Sequence, residues 1–248
     1  MEETGKNPIQ VAERLFQVIE RLAANGHMGI MDLSAELGFH KSTTHRLVTS
    51  LQYMGYIRQD EESLKYALSL KFLEIGSKIL EQTNMASLIH PSLKKLSEQT
   101  GETVHLVRRE GTEAVYIDKV ESTVSSIRMV SRVGSRIPLY CSGVGKALLA
   151  ELPDPEIEDI WNSSEITSLT PYTVTSLSDL MDRIRGVREA GYAMDDEENE
   201  EGVRCIAVSI PDYHKEPVYA LSISAPVSRI TDARIAELST DVLTFKKD

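Results

Sequence analysis

The sequence predicts an α+β protein with an N-terminal winged helix-turn-helix domain, a linker helix, and a C-terminal α+β domain with a mainly antiparallel sheet. Residues 30–54 carry two amphipathic helices around a glycine turn, and a short hairpin with a polar tip follows them. From about residue 84 onwards, β-like segments come in groups with helices between them, which is typical of an α+β domain. With 248 residues, the chain is long enough for two separate hydrophobic cores.

The first helix opens at Asn7-Pro8 and ends near Asn25-Gly26, where glycine favours helix termination. Its predicted inner face consists of Val11, Leu15, Val18, Ile19 and Leu22. A short helix over 30–37 follows. Gly38 then supplies the left-handed turn that a helix-turn-helix needs.

The next helix, over residues 41–54, has one apolar and one polar face. Its apolar stripe recurs at helical spacing, in Thr44, Leu47, Val48, Leu51 and Met54. The opposite face carries hydroxyl and basic side chains, in Ser42, His45, Arg46, Thr49 and Tyr53. Because no carboxylate occurs between Glu36 and Asp60, this face suits the DNA major groove. An ordinary surface helix is the alternative.

Two β-like segments, 56–58 and 64–68, flank the polar tip 59–63 and predict a hairpin wing. Helix, helix-turn-helix and wing in this order favour DNA binding over the surface-helix alternative. The predicted DNA contacts lie on the recognition helix and the wing: Lys41, Ser42, Thr43, His45, Arg46, Thr49, Arg58 and Lys65. The wing-tip acids, at 60–62, are unsuited to phosphate contacts.

A long apolar-rich helix around Leu70–Leu80 links the two parts, so that we expect a DNA-binding domain at 7–68, a linker helix at 69–83 and a second domain at 84–248. In the second domain, the pattern predicts helices over about 86–99, 154–161 and 177–190, and a last helix from about residue 231. Strands are expected at 103–108, 114–120, 126–131, 205–210 and 218–224.

The formal net charge of −11 is unevenly distributed along the chain. Residues 1–80 hold nine basic and ten acidic residues, whereas residues 81–248 hold 18 and 28. The acidic C-terminal part should repel nucleic acid, which leaves the N-terminal part as the surface that contacts DNA. Only two cysteines, an acidic N-terminus and the lack of a long apolar run favour a cytoplasmic protein over a secreted or membrane protein.

Several motifs resemble those of the IclR family of bacterial transcriptional regulators. They are Lys41-Ser42-Thr43-x-His45-Arg46-Leu47 with Gly55-Tyr56, Arg136-Ile137-Pro138-Leu139-Tyr140 with Gly145-Lys146-Ala147-Leu148-Leu149-Ala150, and Gly191-Tyr192 with 195–198 and 202–207. The resemblance covers essentially the whole chain. Finer matches at 65–71, 128–134 and 199–202 resemble the branch that represses pectin and hexuronate catabolism and responds to 2-keto-3-deoxygluconate.

The resemblance implies a GAF-like effector-binding domain and a repressor of a sugar-acid catabolic operon. It implies as partners double-stranded operator DNA and a small keto acid such as 2-keto-3-deoxygluconate, and a homodimer or tetramer, with no cofactor and no membrane. The implied effector-binding residues are Arg128, Met129, Ile137, Gly143, Val144, Asp195, Cys205, Ser222 and Ser224. Asp195 is expected at the ligand's hydroxyl end, opposite a carboxylate held at Gly143. The other acids of 195–201 are expected to form a solvated loop.

Two further functions are open as alternatives. An enzyme would use Cys205 as its nucleophile, but no motif places a histidine base beside it. A metal or redox sensor would use Cys141, Cys205 and His105, but no spacing such as C-x2-C occurs. A Walker A loop at 143–146 is disfavoured, because Tyr140 and Ala147 stand where glycine and Ser or Thr are required. We therefore predict a regulator rather than an enzyme.

Overall fold

A computed structural model describes residues 9–82, 84–124, 130–212 and 214–247. The chain divides into two compact units, residues 1–82 and 83–248. The division falls at the end of the predicted linker helix, which packs as part of the first unit.

The first unit is a winged helix-turn-helix. Its elements are α1 (Gln10–Asn25), α2 (Ile30–Leu37), α3 (Lys41–Tyr53), β1 (Ile57–Gln59), β2 (Tyr66–Leu68) and α4 (Lys71–Gln82). The two strands pair antiparallel and form the predicted wing. Gly38 ends α2 with φ 65°, the left-handed conformation that the turn before α3 requires.

The core of the first unit lies where α1, α2 and α3 meet. Its buried apolar residues include Val18, Leu22, Leu33, Leu47, Val48 and Leu51. Two predicted core positions are wrong. Val11 is 59% exposed, because in the first turn of α1 no described element covers it, and Met54 is 39% exposed, because α3 ends one residue before it.

The second unit is a six-stranded antiparallel sheet with helices on both faces. Its elements are α5 (Asn84–Thr100), β3 (Thr103–Glu110), β4 (Glu113–Val120), β5 (Arg136–Pro138), α6 (Gly143–Leu149), α7 (Asp154–Ser163), α8 (Leu177–Ala190), β6 (Ala193–Asp196), β7 (Val203–Ile210), β8 (Tyr219–Pro226) and α9 (Asp232–Lys247). The strand order is β5-β4-β3-β8-β7-β6, and every neighbouring pair is antiparallel. The predicted mainly antiparallel sheet is confirmed.

Two edge strands differ from the prediction. The strand expected at 126–131 lies mostly outside the described residues, and its described end, 130–131, belongs to no strand. The edge position is instead taken by β5, whose Pro138 suits an edge because proline cannot donate to a sheet ladder. At the other edge, β6 was not predicted, because the run Ala-Met-Asp-Asp has little β propensity.

The two faces of the sheet are covered by different helices. Alternate strand residues such as Leu106, Ile206 and Leu221 pack in one core together with residues of α5 and α9. The intervening residues, such as Val107, Ala207 and Ala220, pack in a second core together with residues of α6, α7 and α8. By the period of two, His105, Cys205, Ser222 and Ser224 lie on the second face.

Candidate functional site

The polar face of α3 is a surface open to a large partner. Lys41, Ser42, His45, Arg46 and Thr49 are exposed, and Thr43 is half-buried. The opposite side, with Thr44, Leu47, Val48 and Leu51, is buried, so the amphipathic prediction for this helix is confirmed. Arg46 forms no ion pair within the described ranges, and its guanidinium is available to an anionic partner.

The wing places two exposed basic residues beside a structured acidic tip. Arg58 and Lys65 are exposed on the hairpin. Asp60 accepts hydrogen bonds from the Ser63 backbone N–H at 2.8 Å and the Ser63 hydroxyl at 2.6 Å. The hydroxyl bond, above all, lowers the pKa of Asp60, so this wing-tip carboxylate stays charged.

A polar pocket lies in the second unit, at the end of the sheet face that α6 covers. Its cavity volume is only about 30 Å³, and all the empty space out to open solvent at its mouth amounts to about 330 Å³. Its lining comprises His105, Tyr116, Ser131, Ile137, Asp195, Asn199, Glu200, Val203, Cys205 and Ser224. Four of the predicted effector-binding residues, Ile137, Asp195, Cys205 and Ser224, therefore face one cavity. Ser222 lies beside it, with its hydroxyl oxygen 3.4 Å from that of Ser224.

The strand register explains how residues far apart in sequence meet here. Asp195 on β6 pairs with Cys205 on β7, which in turn pairs with Ser224 on β8. Ser222 pairs with His105 on β3. Since paired residues point to the same face, three neighbouring strands and one edge strand contribute to a single polar row.

The remaining predicted effector residues have different positions. Gly143 and Val144 are buried at the start of α6, and a Cβ at Gly143 would lie 3.4 Å from the backbone nitrogen of Asp195. Gly143 and Asp195 are thus neighbours, and the expectation that they lie at opposite ends of a ligand is wrong. The reason is that α6 packs directly on β6. Arg128 and Met129 lie outside the described residues.

His105 is a pocket residue that the sequence suggested only as a metal ligand. Its Nε2 lies 2.7 Å from the Ser131 hydroxyl, and its Nδ1 lies 3.3 Å from the Ser224 hydroxyl. Burial, and secondarily the charge of Lys119, lower the pKa of His105 to about 3, so the ring is neutral near pH 7. The missed signal was its alternation with buried apolar residues along β3.

Tyr116 was missed as well. Its ring packs edge-on against His105, with centroids 5.1 Å apart. Burial, reinforced by Cys205 and Asp195, raises the pKa of Tyr116, so its hydroxyl remains a donor. Sequence alone gave no signal for Tyr116, because its place in the pocket depends on the pairing of β4 with β3.

Asp195 is the buried acid of the pocket, with 2% of its surface exposed. One carboxylate oxygen accepts hydrogen bonds from the backbone N–H groups of Glu198, at 2.8 Å, and Asn199, at 3.3 Å. Burial raises the pKa of Asp195 to about 7, a shift that Glu198 increases and that Lys146 opposes. This carboxyl group can therefore gain or lose a proton near neutral pH.

Behind Asp195, Lys146 and Glu198 form an ion pair that is almost fully buried. The Thr173 hydroxyl donates to the Glu198 carbonyl oxygen at 2.6 Å, which holds the loop inward. The expectation of a solvated loop at 195–201 is thus wrong for Glu198, whose side chain lies under α6 rather than in solvent. Among the described residues, the second carboxylate oxygen of Glu198 has no hydrogen-bond partner.

The glycine-lysine motif at the start of α6 serves packing. A Cβ at Gly145 would lie 2.1 Å from the carbonyl oxygen of Leu139, so no other residue fits without a backbone shift. Ser142 caps the helix by accepting from the Gly145 N–H at 3.1 Å. Lys146 is engaged with Glu198 and is not aimed at a phosphate.

The two thiols are poorly suited to nucleophilic or metal chemistry. Burial raises the pKa of Cys141 to about 12 and also raises the pKa of Cys205, so neither forms a thiolate near neutral pH. In the described ranges, no group of three or more His, Cys, Asp or Glu side chains is arranged so that it could hold a metal ion.

Known proteins match both units. The profile of the IclR helix-turn-helix domain matches residues 11–61, and that of the bacterial transcriptional regulator IclR C-terminal domain matches residues 77–247. The chain belongs to the IclR family. It is a DNA-binding transcriptional repressor and not an enzyme, which confirms the sequence interpretation.

Individual IclR-family relatives align over almost the whole chain. The acetate operon repressor of Salmonella typhimurium is 37% identical over 97% of this chain and 88% of its own length. The regulator KdgR of Escherichia coli is 36% identical over 94% of this chain and 89% of its own length. The crystal structure of the Thermotoga maritima IclR superposes with a TM-score of 0.81 at 31% identity, over 96% of each chain. No helix in the described ranges is long and apolar enough to cross a bilayer.

Proposed function

We propose that this IclR-family repressor controls a sugar-acid catabolic operon in the cytoplasm and that a small keto acid such as 2-keto-3-deoxygluconate binds in its polar pocket. The observation that carries the proposal is the pocket's pairing of neutral donors with one buried carboxyl group. His105, Tyr116 and Ser224 can donate to a carboxylate or ketone, and Asp195 can accept from sugar hydroxyls.

The arrangement suggests a direction for the ligand. The described lining contains no lysine or arginine, so its described partners for the carboxylate are neutral hydrogen-bond donors. The donors His105 and Ser131 lie on one side of the cavity, whereas Asp195, Asn199 and Glu200 belong to the β6 side. We therefore assign the ligand's carboxylate to the His105 side and its hydroxyls to the Asp195 side, with Gly143, Val144 and Cys205 as neighbouring wall. Arg128 and Met129 are retained as predicted contacts.

Sequence identity to relatives does not indicate which effector binds, because the acetate operon repressor and KdgR are almost equally similar to this chain. A thermal-shift screen of keto acids and sugar acids tests the choice, since a ligand of the native state raises apparent stability. Calorimetry of wild type and Asp195→Ala with 2-keto-3-deoxygluconate and pyruvate then tests the orientation. Asp195→Ala should weaken the sugar acid more than pyruvate, which lacks distal hydroxyls. If Asp195→Ala binds each of the two ligands with the same affinity as wild type does, the proposed ligand site is refuted.

For DNA, we propose that the exposed residues of α3 contact the major groove and that Arg58 and Lys65 contact phosphates. One recognition helix reads few base pairs, so a symmetric homodimer or a tetramer would be needed for a useful operator. The exposed apolar side chains of Leu70 and Leu73 support a dyad near α4. Light scattering at micromolar concentration tests the assembly, and a monomer that binds operator DNA would contradict it.

A further inference from the structure

We propose that Lys71 is a positioning residue for DNA recognition, which fixes the C-terminal end of recognition helix α3 to the first turn of linker helix α4. The Lys71 ammonium donates a hydrogen bond to the Met54 carbonyl oxygen at 2.8 Å. The same Nζ lies 4.3 Å from the centre of the Tyr56 ring, within the range of a cation–π contact. All three residues belong to the first unit.

The end of α3 lacks a cation of its own. The last turns of helices leave backbone carbonyls unpaired and carry a partial negative charge, which a nearby lysine or arginine stabilises. No basic residue occurs in the last turn of α3. Gly55, with φ 77°, turns the chain away, and the Tyr56 N–H closes the helix end on the Leu51 carbonyl oxygen at 2.9 Å. Lys71 supplies the missing charge from 17 residues further along the chain.

A second set of contacts joins the same two helix ends. The Ser69 hydroxyl donates to the Gly55 carbonyl oxygen at 2.6 Å, and the Ser69 N–H donates to the Tyr56 carbonyl oxygen at 2.9 Å. That hydroxyl also accepts from the Lys71 N–H at 3.3 Å, so it caps α4 while holding the turn after α3. The rings of Tyr56 and Phe72 pack with centroids 5.3 Å apart.

These contacts couple the orientation of α3 directly to the position of α4. Because α4 runs to Gln82, where the first unit ends, it is also the covalent path to the effector-binding unit. A displacement of α4 is therefore transmitted to the recognition helix through Lys71, Ser69 and Phe72. Loss of the Lys71 contact should loosen the DNA-reading face without removing a DNA contact.

The experiment uses the full chain and a short duplex that the wild-type protein enriches from a random-sequence library. Binding is measured by fluorescence anisotropy over a series of salt concentrations for wild type, Lys71→Met, Lys71→Arg and Lys78→Met. Lys71→Met should weaken binding about tenfold with an unchanged salt slope, because no phosphate contact is lost. Lys71→Arg keeps a donor and a cation and should bind within about twofold of wild type. Lys78, exposed on the same helix and paired with Glu74, is the matched control and should show no effect.

Hydrogen exchange supplies a second readout. In Lys71→Met, amides of residues 51–56 should exchange faster, while those of α1 keep their protection. Ser69→Ala should shift both readouts in the same direction and covers the case in which Lys71→Met folds poorly. A salt slope lower by about one in Lys71→Met would make Lys71 a phosphate contact and overturn the proposal. Unchanged affinity, or faster exchange throughout the first unit, would overturn it too.

Discussion

The polar face of α3 and the polar pocket of the second unit present their polar groups in opposite ways. On α3, hydroxyl and basic side chains are exposed, so they are free for a large charged partner. In the polar pocket and directly behind it, Asp195, His105, Lys146 and Glu198 are all buried, and Lys146 and Glu198 pair with each other. We therefore expect single substitutions on the polar face of α3 to leave stability unchanged, and substitutions of the buried polar groups to alter the stability of the second unit.

The largest expected effect comes from breaking the buried ion pair. Lys146→Met should lower the free energy of unfolding of the second unit by about 3–5 kcal/mol, because Glu198 is left as an unpaired buried charge. Urea denaturation measures the loss. Arg185→Met is the control, since Arg185 and Asp182 form an exposed pair whose loss should cost less than about 1 kcal/mol. Equal costs for the two variants would show that Glu198 is not buried as described.

On the DNA side, Arg46→Ala should weaken operator binding by about 1–3 kcal/mol if Arg46 makes a bidentate contact to a base. If Arg46 holds a phosphate instead, binding should weaken across all sequences and the salt slope should fall by about one. Stability should change little, because Arg46 is exposed. Anisotropy with specific and scrambled duplexes separates the cases. Unchanged affinity and salt dependence would exclude Arg46 from the interface.

The pocket acid predicts a pH dependence of stability. Because the pKa of Asp195 is raised from 3.8 to about 7, the folded protein binds this proton more tightly than the unfolded chain does. The carboxyl group's contribution is fully present below pH 3.8 and is lost as the pH rises towards 7. The free energy of unfolding of Asp195→Asn, relative to that of wild type, should therefore rise by about 1–2 kcal/mol as the pH increases from about 5 to about 8. A difference that does not vary with pH in urea denaturation would rule this out.

For His105 we expect the opposite pH dependence of stability. Its pKa is lowered from 6.5 to about 3, so the stability of the neutral ring is present above pH 6.5 and is lost as the pH falls towards 3. Relative to wild type, His105→Gln should become more stable as the pH falls below about 6, by about 1 kcal/mol or less after relaxation of the acid state. Parallel curves for the two proteins would mean that His105 takes up a proton as readily in the folded protein as in the unfolded chain, which would contradict the lowered pKa.

The first unit was largely predictable because its signals are local. The period of α3 and the glycine turn at Gly38 each depend on a few consecutive residues, and the helix-turn-helix follows from them. The failures, Val11 and Met54, lie at helix ends, where periodicity no longer decides burial.

The pocket was only partly predictable because sheet register assembles it. Alternation along β7 and β8 placed Cys205, Ser222 and Ser224 on one face. No local sequence pattern indicated that Tyr116 would face these residues. Nor did any indicate that Glu198 would pair under α6 with a lysine 52 residues away in the chain. Both depend on non-local pairing, which composition and spacing do not encode.

The central claim is that a keto acid in the polar pocket controls DNA binding by the winged helix. The most direct measurement is anisotropy of the selected duplex with wild type and Asp195→Ala, titrated with 2-keto-3-deoxygluconate. We predict that the keto acid changes wild-type affinity about tenfold or more and that Asp195→Ala loses most of this response. An equal response in both proteins, or none in wild type, would contradict the account.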